Sequence, residues 1–310
     1  VHVHSHGIDL QGFLRLQILA PKAKFVETNV FSVPSPWAPH LDISYQLSDW
    51  CNLLFDKRTG GAYTTAIVPN PVNATAFLET PPAARDNFRT AYGIPDSVFL
   101  IGRVGQPFTG KWSSRIISIF ETLHDCYPHV RLALVGAPAN IIKRAKNSRY
   151  AHYILLIDRI EGDDQLASFY SAIDLFLLIA DQGESFGMVI TESLLCCTPV
   201  VTLASPWGDN SQVDVVGNGV GGFAAASLED VVPLVARFIQ DPGLRQRFGL
   251  AGRISVLRRF DALVVANLSL EYLKGIQTPS NVYSSRELMM RAEGGTNAFT
   301  DLVLRLTLPL

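Results

Sequence analysis

The chain has 310 residues, of which 48% are hydrophobic and 17% charged, and its net charge is −2. This length and composition predict a folded protein with room for two domains, and they exclude an intrinsically disordered chain. Because there is no basic run, we expect neither nucleic-acid binding through phosphate neutralisation nor a polybasic membrane anchor. No apolar run approaches the roughly 18 residues of a transmembrane helix, so only peripheral membrane contact stays open.

The cysteines are spread along the chain without a CxxC pair. They are Cys51, Cys126, Cys196 and Cys197. This spacing favours reduced thiols in a cytoplasmic protein over a disulfide framework or a zinc site.

Helix and strand patterns mostly alternate along residues 1–95, which is typical of a parallel sheet. Apolar runs predict strands at residues 1–4, 24–28, 51–55 and 66–68. A helix is predicted at residues 10–19, and a proline-rich loop at 30–40. Residues 78–95 are interpreted as a linker with a short helix at 84–92.

Three histidines lie in the first predicted strand and its exit loop, at positions 2, 4 and 6. At a spacing of two along a strand they would share a face, so a metal site is one interpretation. No carboxylate-rich segment accompanies them, and we therefore predict no metal. His2 is expected to be a satisfied histidine in a buried strand. His4 and His6 lie nearer the carboxyl end of that strand and are candidate substrate-binding residues.

A second α/β series follows, and it ends in a tail that the pattern does not place. Strands are predicted at residues 98–102, 130–135, 151–157, 174–180, 199–203 and 221–224. Helices are predicted at residues 112–126, 164–172, 188–196, 228–239, 242–251 and 261–274. The predicted domains are therefore 1–95 and 96–275, with a tail at 276–310 that would pack back on the first domain.

The most informative stretch follows the strand at 174–180. Glu184 lies in the loop, and Glu192 lies about two turns into the next helix. Carboxylates accept paired hydrogen bonds from vicinal sugar hydroxyls, and the free amides of Phe186, Gly187 and Met188 can donate to phosphate oxygens or hydroxyls. Because ligands of open α/β sheets bind outside the carboxyl ends of strands, this loop predicts a site for a nucleotide-linked sugar. The alternative is a solvated loop glutamate and an ordinary helix-face glutamate.

Two cations lie on a neighbouring loop. Arg103 follows the first strand of the second series, and Lys111 opens the helix after it. Both would face the crevice of Glu184, and an arginine can bind a diphosphate bidentately. Taken alone, the pair also fits solvated loop cations. Gly136 and Arg159 follow neighbouring strands and are predicted to form part of the rim.

Together these motifs resemble the retaining glycosyltransferases of family four, the group 1 glycosyltransferases, which have the GT-B fold of two facing Rossmann-like domains. The family signature is E-x-F-G-x-x-x-x-E, and it is matched position by position by Glu184, Phe186, Gly187 and Glu192. The family's arginine and lysine are matched by Arg103 and Lys111, at a slightly longer spacing. Residues 70–72, 166–174 and 199–201 also resemble family segments, and the resemblance covers about residues 1–275.

The resemblance implies roles for these residues. Arg103 and Lys111 would hold the donor diphosphate and stabilise charge on the leaving group. Glu184 would bind hydroxyls of the donor sugar, and Glu192 those of the nucleotide ribose. The amides of residues 186 and 187 would position the sugar and phosphates. The family has no firmly established protein nucleophile and generally needs no divalent metal, so we expect a UDP- or GDP-sugar donor and no cofactor.

The chain departs from the family pattern mainly in its first domain. A complete first domain has a Gly-rich loop and further strands before the segment that corresponds to residues 1–4, so this domain is predicted to be truncated. Residues 27–29 are Glu-Thr-Asn where relatives often have a threonine followed by a histidine. Gln212 lies in a segment that often carries a glutamate, and it could still bind a hydroxyl.

Two hypotheses follow. The favoured one is an enzyme that moves a sugar from a nucleotide-sugar to an acceptor hydroxyl in glycan, glycolipid or glycoside synthesis. The alternative is a nucleotide-sugar-binding module without turnover that needs a partner chain to complete its first domain. The sequence does not define the acceptor.

Overall fold

The computed structural model describes residues 1–3, 10–31, 33–80, 83–108 and 110–274. It contains two parallel β-sheets with flanking helices, which confirms the predicted α/β class with two Rossmann-like units. The predictions for His4, His6 and the tail at 276–310 lie outside the described residues.

The first sheet lies in the N-terminal part of the chain. Its strands are β1 His2–Val3, β2 Val26–Asn29, β3 Ile43–Gln46 and β4 Thr65–Ile67. The helices between them are α1 Leu10–Leu19 and α2 Asp49–Thr59. The described strands run parallel in the order β1-β2-β3-β4. Strand β3 was not predicted from the sequence.

Residues 51–55 belong to α2, so their prediction as a strand is wrong. Ser48 caps this helix by accepting a hydrogen bond from the backbone N–H of Cys51. The helix buries Cys51 and Phe55, which lie one turn apart, and exposes Leu53 between them. The apolar run is therefore one face of a helix, because its buried positions repeat every four residues rather than every two.

The second sheet lies in the C-terminal part of the described chain. Its strands are β5 Phe99–Val104, β6 Val130–Val135, β7 Ile154–Ile157, β8 Leu175–Leu178, β9 Val200–Leu203 and β10 Gly222–Ala225. They run parallel in the order β10-β9-β8-β5-β6-β7. The chain adds strands outward from β5 in one direction and from β8 in the other. The carboxyl ends of β5 and β8 therefore border the crevice where such sheets bind ligands.

Ten further helices connect these strands or follow them in the described chain. They are α3 Ala74–Leu78, α4 Ala84–Ala91, α5 Arg115–Cys126, α6 Ala139–Lys146, α7 Asp163–Ala172, α8 Met188–Leu195, α9 Ser211–Val216, α10 Leu228–Gln240, α11 Pro242–Arg259 and α12 Ala262–Lys274. Three of them, α3, α6 and α9, were not predicted. The strand predicted at 151–157 begins only at Ile154, because Ala151–Tyr153 form a 3₁₀ turn. No helix of the described ranges is long and apolar enough to cross a membrane.

Helix α11 continues beyond its predicted end at residue 251. A Cβ on Gly249 would lie 2.0 Å from the carbonyl oxygen of Cys197, and one on Gly252 would lie 2.6 Å from the side chain of Leu194. Both glycines therefore allow α11 to approach α8 closely. This packing offsets the roughly 1 kcal/mol that a glycine costs inside a helix.

The central strands β5, β8 and β9 are buried on both faces, as expected of a parallel sheet covered by helices, whereas the edge strands β7 and β10 are partly exposed. Along β5, Phe99 and Ile101 pack with α5 and α10 on one face. Leu100 packs on the other face in a cluster that also contains Phe169 of α7 and Leu194 of α8. That second cluster extends to Cys51 of α2, so the two sheets share part of one core.

Two helices contact parts of the chain outside their own predicted domains. On α4, the buried Arg89 donates to the carbonyl oxygen of Ala172 at 2.9 Å and to Asp174 at 2.7 Å. On α12, Val265 packs with the core of the first sheet, and Tyr45 donates a hydrogen bond to the carbonyl oxygen of Ser269 at 3.1 Å. Helix α4 lies inside the predicted domain 1–95 but packs against residues of the second unit, and α12 lies inside 96–275 but packs against the first sheet. The domain boundaries stay a prediction.

Candidate active site

The structure brings Arg103, Lys111 and Glu184 together at the crevice between β5 and β8. The Lys111 ammonium donates to Glu184 Oε2, and Arg103 Nη2 lies 4.0 Å from Glu184 Oε1. The side chain of Glu184 is 10% exposed and that of Lys111 is 38% exposed. The three side chains thus form one charged cluster at the reversal of strand order.

Arg103 is the enclosed member of this cluster, with its side chain only 1% exposed. It donates to the backbone carbonyls of Val104 at 2.5 Å and Lys111 at 2.7 Å, and its guanidinium lies 4.9 Å from the ring centre of Trp112. Burial lowers the pKa of Arg103 to about 10, and Glu184 opposes that shift. The side chain therefore stays cationic at neutral pH. Arg103 is therefore not the solvated loop cation of the alternative interpretation.

The backbone before Glu184 requires glycine. Gly183 has a φ of 71°, and a Cβ there would lie 1.7 Å from the carbonyl oxygen of Asp209 and 2.2 Å from Ser205 Oγ. The loop after β8 and the loop after β9 therefore touch at this point. The charges of the cluster also affect Asp209. The pKa of Asp209 is raised overall, mainly by burial; Lys111 opposes this shift and Glu184 adds to it.

Gln212 does not face the crevice, contrary to the expectation that it binds a hydroxyl. It is 1% exposed, and its Oε1 accepts the backbone N–H of Glu184 at 3.0 Å. Its Nε2 donates to the carbonyl oxygen of Leu203 at 3.0 Å and to Ser205 Oγ at 2.7 Å. Because the neighbouring loops enclose it, the side-chain amide of Gln212 makes these hydrogen bonds to protein groups and is not accessible to a ligand.

Glu192 is the fifth residue of α8, a little over one turn from the start rather than two turns. Its Oε2 accepts a hydrogen bond from the buried hydroxyl of Tyr170 at 2.8 Å. Burial raises the pKa of Glu192, and the hydrogen bond from Tyr170 lowers it. The carboxylate is therefore held by the core and is not an ordinary solvated helix-face glutamate.

The first turn of α8 offers backbone donors. The side chain of Phe186 is buried against Phe260 with ring centres 5.2 Å apart, so only its backbone is available to a ligand. Gly187 has a φ of 94°, and the half-buried Met188 is the first helical residue. Amides in this position have no intrahelical acceptor and favour anionic groups.

Gly136 and Arg159 occupy different parts of the rim. Gly136 follows β6 with a φ of 67°, and a Cβ there would lie 2.8 Å from the carbonyl oxygen of Gly105. It thus adjoins the loop that carries Lys111. Arg159 is exposed after β7, at the sheet edge two strands from β5. At about 4.8 Å per strand it lies on the order of 10 Å from the cluster.

Of the N-terminal histidines, the described residues include only His2. It is exposed, so the expectation of a buried histidine is wrong, and its Nε2 lies 2.8 Å from Thr28 Oγ1. In the described part of the chain, no group of three or more His, Cys, Asp or Glu side chains is placed to hold a metal ion.

The first half of the chain also reaches the site, through α2. Ser48 Oγ lies 2.6 Å from Ser211 Oγ, and the Cys51 thiol donates to the carbonyl oxygen of Ser185 at 3.3 Å. Trp50 Nε1 donates to the carbonyl oxygen of Gly208 at 3.2 Å. Sequence reasoning missed these contacts because it assigned residues 51–55 to a strand.

Comparison with known proteins identifies relatives of this chain. The family model for "Glycosyl transferases group 1" matches residues 84–254. The phosphatidyl-myo-inositol mannosyltransferase of Mycobacterium leprae is 28% identical over 217 residues, which are 68% of this chain and 54% of that protein. The D-inositol 3-phosphate glycosyltransferase of Mycolicibacterium smegmatis is 28% identical over 130 residues, 40% of this chain and 29% of that protein. The chain spans about half the length, or less, of these curated relatives.

Solved structures share the fold at lower identity. HepE of Anabaena, in complex with UDP-glucose, gives a TM-score of 0.72 at 17% identity and covers 89% of this chain and 79% of its own. A glycosyltransferase from Rickettsia africae gives 0.71 at 17% identity, with 90% and 77% covered. These neighbours confirm the predicted GT-B architecture. Because the family model matches more than half of the residues, the chain belongs to the group 1 glycosyl transferases.

Proposed function

We propose that this chain transfers a sugar, with retention, from a nucleoside-diphosphate sugar to an acceptor hydroxyl. The observation that carries the proposal is the Lys111–Glu184 pair beside the buried Arg103, at the crevice between β5 and β8. Family membership supports the transfer of a glycosyl group. The neighbour HepE was solved with UDP-glucose, so a UDP-sugar is the first donor to test and a GDP-sugar the second.

Each charged residue has a separate role in the proposed reaction. The diphosphate lies against Lys111 and the first-turn amides of α8, while Arg103 adds a fixed positive charge. As the bond from the anomeric carbon to phosphate breaks, the nucleoside diphosphate leaves with the electron pair, and these preorganised cations stabilise it. Glu184 accepts hydrogen bonds from hydroxyls of the sugar. The acceptor oxygen bonds to the anomeric carbon on the face that the diphosphate leaves, and its proton passes to an oxygen of the departing diphosphate. We assign no protein nucleophile.

The nucleoside is held further along α8 in this proposal. Glu192, whose carboxylate is held by the hydrogen bond from Tyr170, accepts hydrogen bonds from the ribose hydroxyls. Gly136 allows the ligand to approach the backbone, and Arg159 stays a proposed rim residue together with His4 and His6. The free state of the cysteines supports a cytoplasmic enzyme.

Binding is tested first, by thermal shift with UDP, GDP, ADP and their common sugars. At a hundred times its dissociation constant, a ligand of the native state adds about 2.7 kcal/mol of stability. We expect a shift with one base, and Glu192→Ala should reduce it. Glu229→Gln, at an exposed position on α10, is the control. If no ligand shifts the wild-type protein, the proposed donor site is wrong.

Turnover is tested with the bound donor and a panel of hydroxyl acceptors. The panel includes phosphatidyl-myo-inositol and D-inositol 3-phosphate, because two relatives are named for them. Glu184→Gln and Lys111→Ala should each lower the rate by about 100- to 1,000-fold, the usual effect of removing a transition-state contact. Lys143→Ala, at an exposed position on α6, should not. Binding without transfer in the wild type would support a non-catalytic module instead.

A further inference from the structure

The backbone of Glu184 is held on both sides by the start of α9. Its N–H donates to Gln212 Oε1 at 3.0 Å, and its carbonyl oxygen accepts the N–H of Ser211 at 3.0 Å. Gly183 immediately before it is packed against Asp209. The position of the Glu184 carboxylate beside Lys111 therefore depends on contacts outside its own loop.

Gln212 is itself fixed within the protein. Its Nε2 donates to the carbonyl oxygen of Leu203 at the end of β9 and to Ser205 Oγ, and the side chain is almost fully buried. One end of the amide is thus anchored to the sheet while the other accepts the amide of Glu184. A buried polar network with every member paired is rigid, because each lost bond would leave an unpaired group.

We propose that Gln212 is a positioning residue, which holds the Glu184 carboxylate against Lys111 through the acceptor Oε1. The inference rests on the proposed function, because the placement of Glu184 affects turnover only if this carboxylate contacts the donor sugar. It assigns to Gln212 a role other than contact with substrate. The hydrogen bond from Glu184 N–H is the step that links the two residues.

Two variants separate the acceptor from the rest of the side chain. Gln212→Glu keeps an oxygen that can accept the N–H of Glu184. Burial favours its neutral carboxylic acid, whose single O–H can still donate to the carbonyl oxygen of Leu203 but replaces only one of the two N–H donors of the amide. Gln212→Leu has a similar volume and loses both the acceptor and the donors. If the acceptor positions Glu184, Gln212→Leu should lower kcat by about 100-fold, the cost of a misplacement of about 1 Å. Gln212→Glu should stay within about fivefold of wild type, a difference of about 1 kcal/mol.

Additional readouts distinguish positioning from loss of structure. The thermal shift caused by the nucleotide should be unchanged in Gln212→Leu, because Glu192 and the first turn of α8 are untouched. Hydrogen exchange at the amide of Glu184 should become faster in Gln212→Leu and stay slow in Gln212→Glu. Gln240→Leu removes a surface hydrogen bond to Tyr127 and is the matched control. If Gln212→Leu does not fold, Gln212→Asn withdraws the acceptor by one methylene and should show the same loss of kcat.

The outcomes are distinct. The inference is overturned if Gln212→Leu, or Gln212→Asn in its place, retains wild-type kcat, or if Gln212→Glu is as impaired as Gln212→Leu. In either case the proposed function stands, because the wild type still transfers sugar. A wild-type protein that neither binds nor uses any donor overturns the proposed function and the positioning role together.

Discussion

Replacing Gly183 by alanine tests how closely the loop that carries Glu184 is packed. The φ of 71° at Gly183 costs an L-residue about 1–2 kcal/mol. The added Cβ would also lie 1.7 Å from the carbonyl oxygen of Asp209, where contacts below 3.0 Å essentially never occur. The two backbone segments would therefore have to separate by about 1.3 Å.

Gly219 offers a matched control, because it has a φ of 85° and no atom within 4 Å of an added Cβ. Gly219→Ala should lower the free energy of unfolding by about 1–2 kcal/mol, the backbone cost alone. Gly183→Ala should also break two backbone hydrogen bonds of Asp209: its carbonyl oxygen accepts from Ser205 Oγ, and its N–H donates to the carbonyl oxygen of Gln182. At about 1 kcal/mol each, these raise its total loss to about 3–4 kcal/mol.

The same displacement should affect turnover. A shift of about 1 Å in Glu184 corresponds to a loss of about 100-fold in kcat, or about 2.7 kcal/mol in the activation free energy. Urea denaturation measures the stability of both variants, and initial rates at saturating donor measure kcat. We expect Gly219→Ala to keep wild-type kcat. Equal losses of stability in the two variants, together with an unchanged kcat in Gly183→Ala, would refute the steric argument.

Three further predictions concern buried charged groups. Tyr170→Phe removes the hydroxyl that lowers the pKa of Glu192, so this carboxylate should become protonated at a higher pH. Nucleotide affinity, measured by calorimetry, should therefore be lost at a higher pH as the solution is acidified. The same loss of affinity at the same pH as in the wild type would contradict this. Burial raises the pKa of Glu27, so its contribution to stability is present below the unfolded value of 4.5 and lost as pH rises through the folded value. In Glu27→Gln the free energy of unfolding should therefore fall less steeply as pH rises, by at most about 1.4 kcal/mol per pH unit. Denaturation at several pH values measures this slope, and equal slopes in the wild type and the variant would show that the argument is wrong. Arg89→Ala breaks a buried pair with Asp174 and should cost about 3–5 kcal/mol in urea denaturation, whereas a loss below about 1 kcal/mol would mean that the pair is effectively solvated.

The approach of Lys111 to Glu184 was predictable from the sequence. Both residues follow apolar runs that read as parallel strands, and parallel strands place their carboxyl ends at the same edge of the sheet. The prediction did not need the exact helix boundaries, because Lys111 lies just before its helix and Glu184 just after its strand. Their direct pairing also needs β5 and β8 to be neighbours, which the structure shows and the sequence pattern did not predict.

The role of Gln212 was not predictable in the same way. Its position after a strand placed it near the crevice, but the direction of its side chain depends on contacts among separate loops. Ser205 and the carbonyl oxygen of Leu203 draw the amide inward, and the backbone of Glu184 completes its bonding. No local pattern of residue types reports this arrangement.

The wrong strand at residues 51–55 has a different physical cause. A run of five mostly apolar residues fits a buried strand and one face of a helix equally well. The deciding signals were Ser48 at the N-cap and Gly60 at the C-cap, where φ is 65°. These caps, and not the apolar run, identify the helix that brings Cys51 to Ser185.

The candidate site combines an exchangeable cation with a fixed one. Lys111 is 38% exposed, so in the proposed reaction its ammonium can turn from Glu184 to a diphosphate that enters from solvent. Arg103 is buried, donates to two backbone carbonyls and stacks on Trp112, so it cannot be displaced in the same way. In the proposed reaction, Lys111 would follow the charge that develops on the leaving phosphate, while Arg103 would supply a constant positive potential. These two proposed roles would account for the different surroundings of the cations: Arg103 is enclosed by the protein and Lys111 is open to solvent.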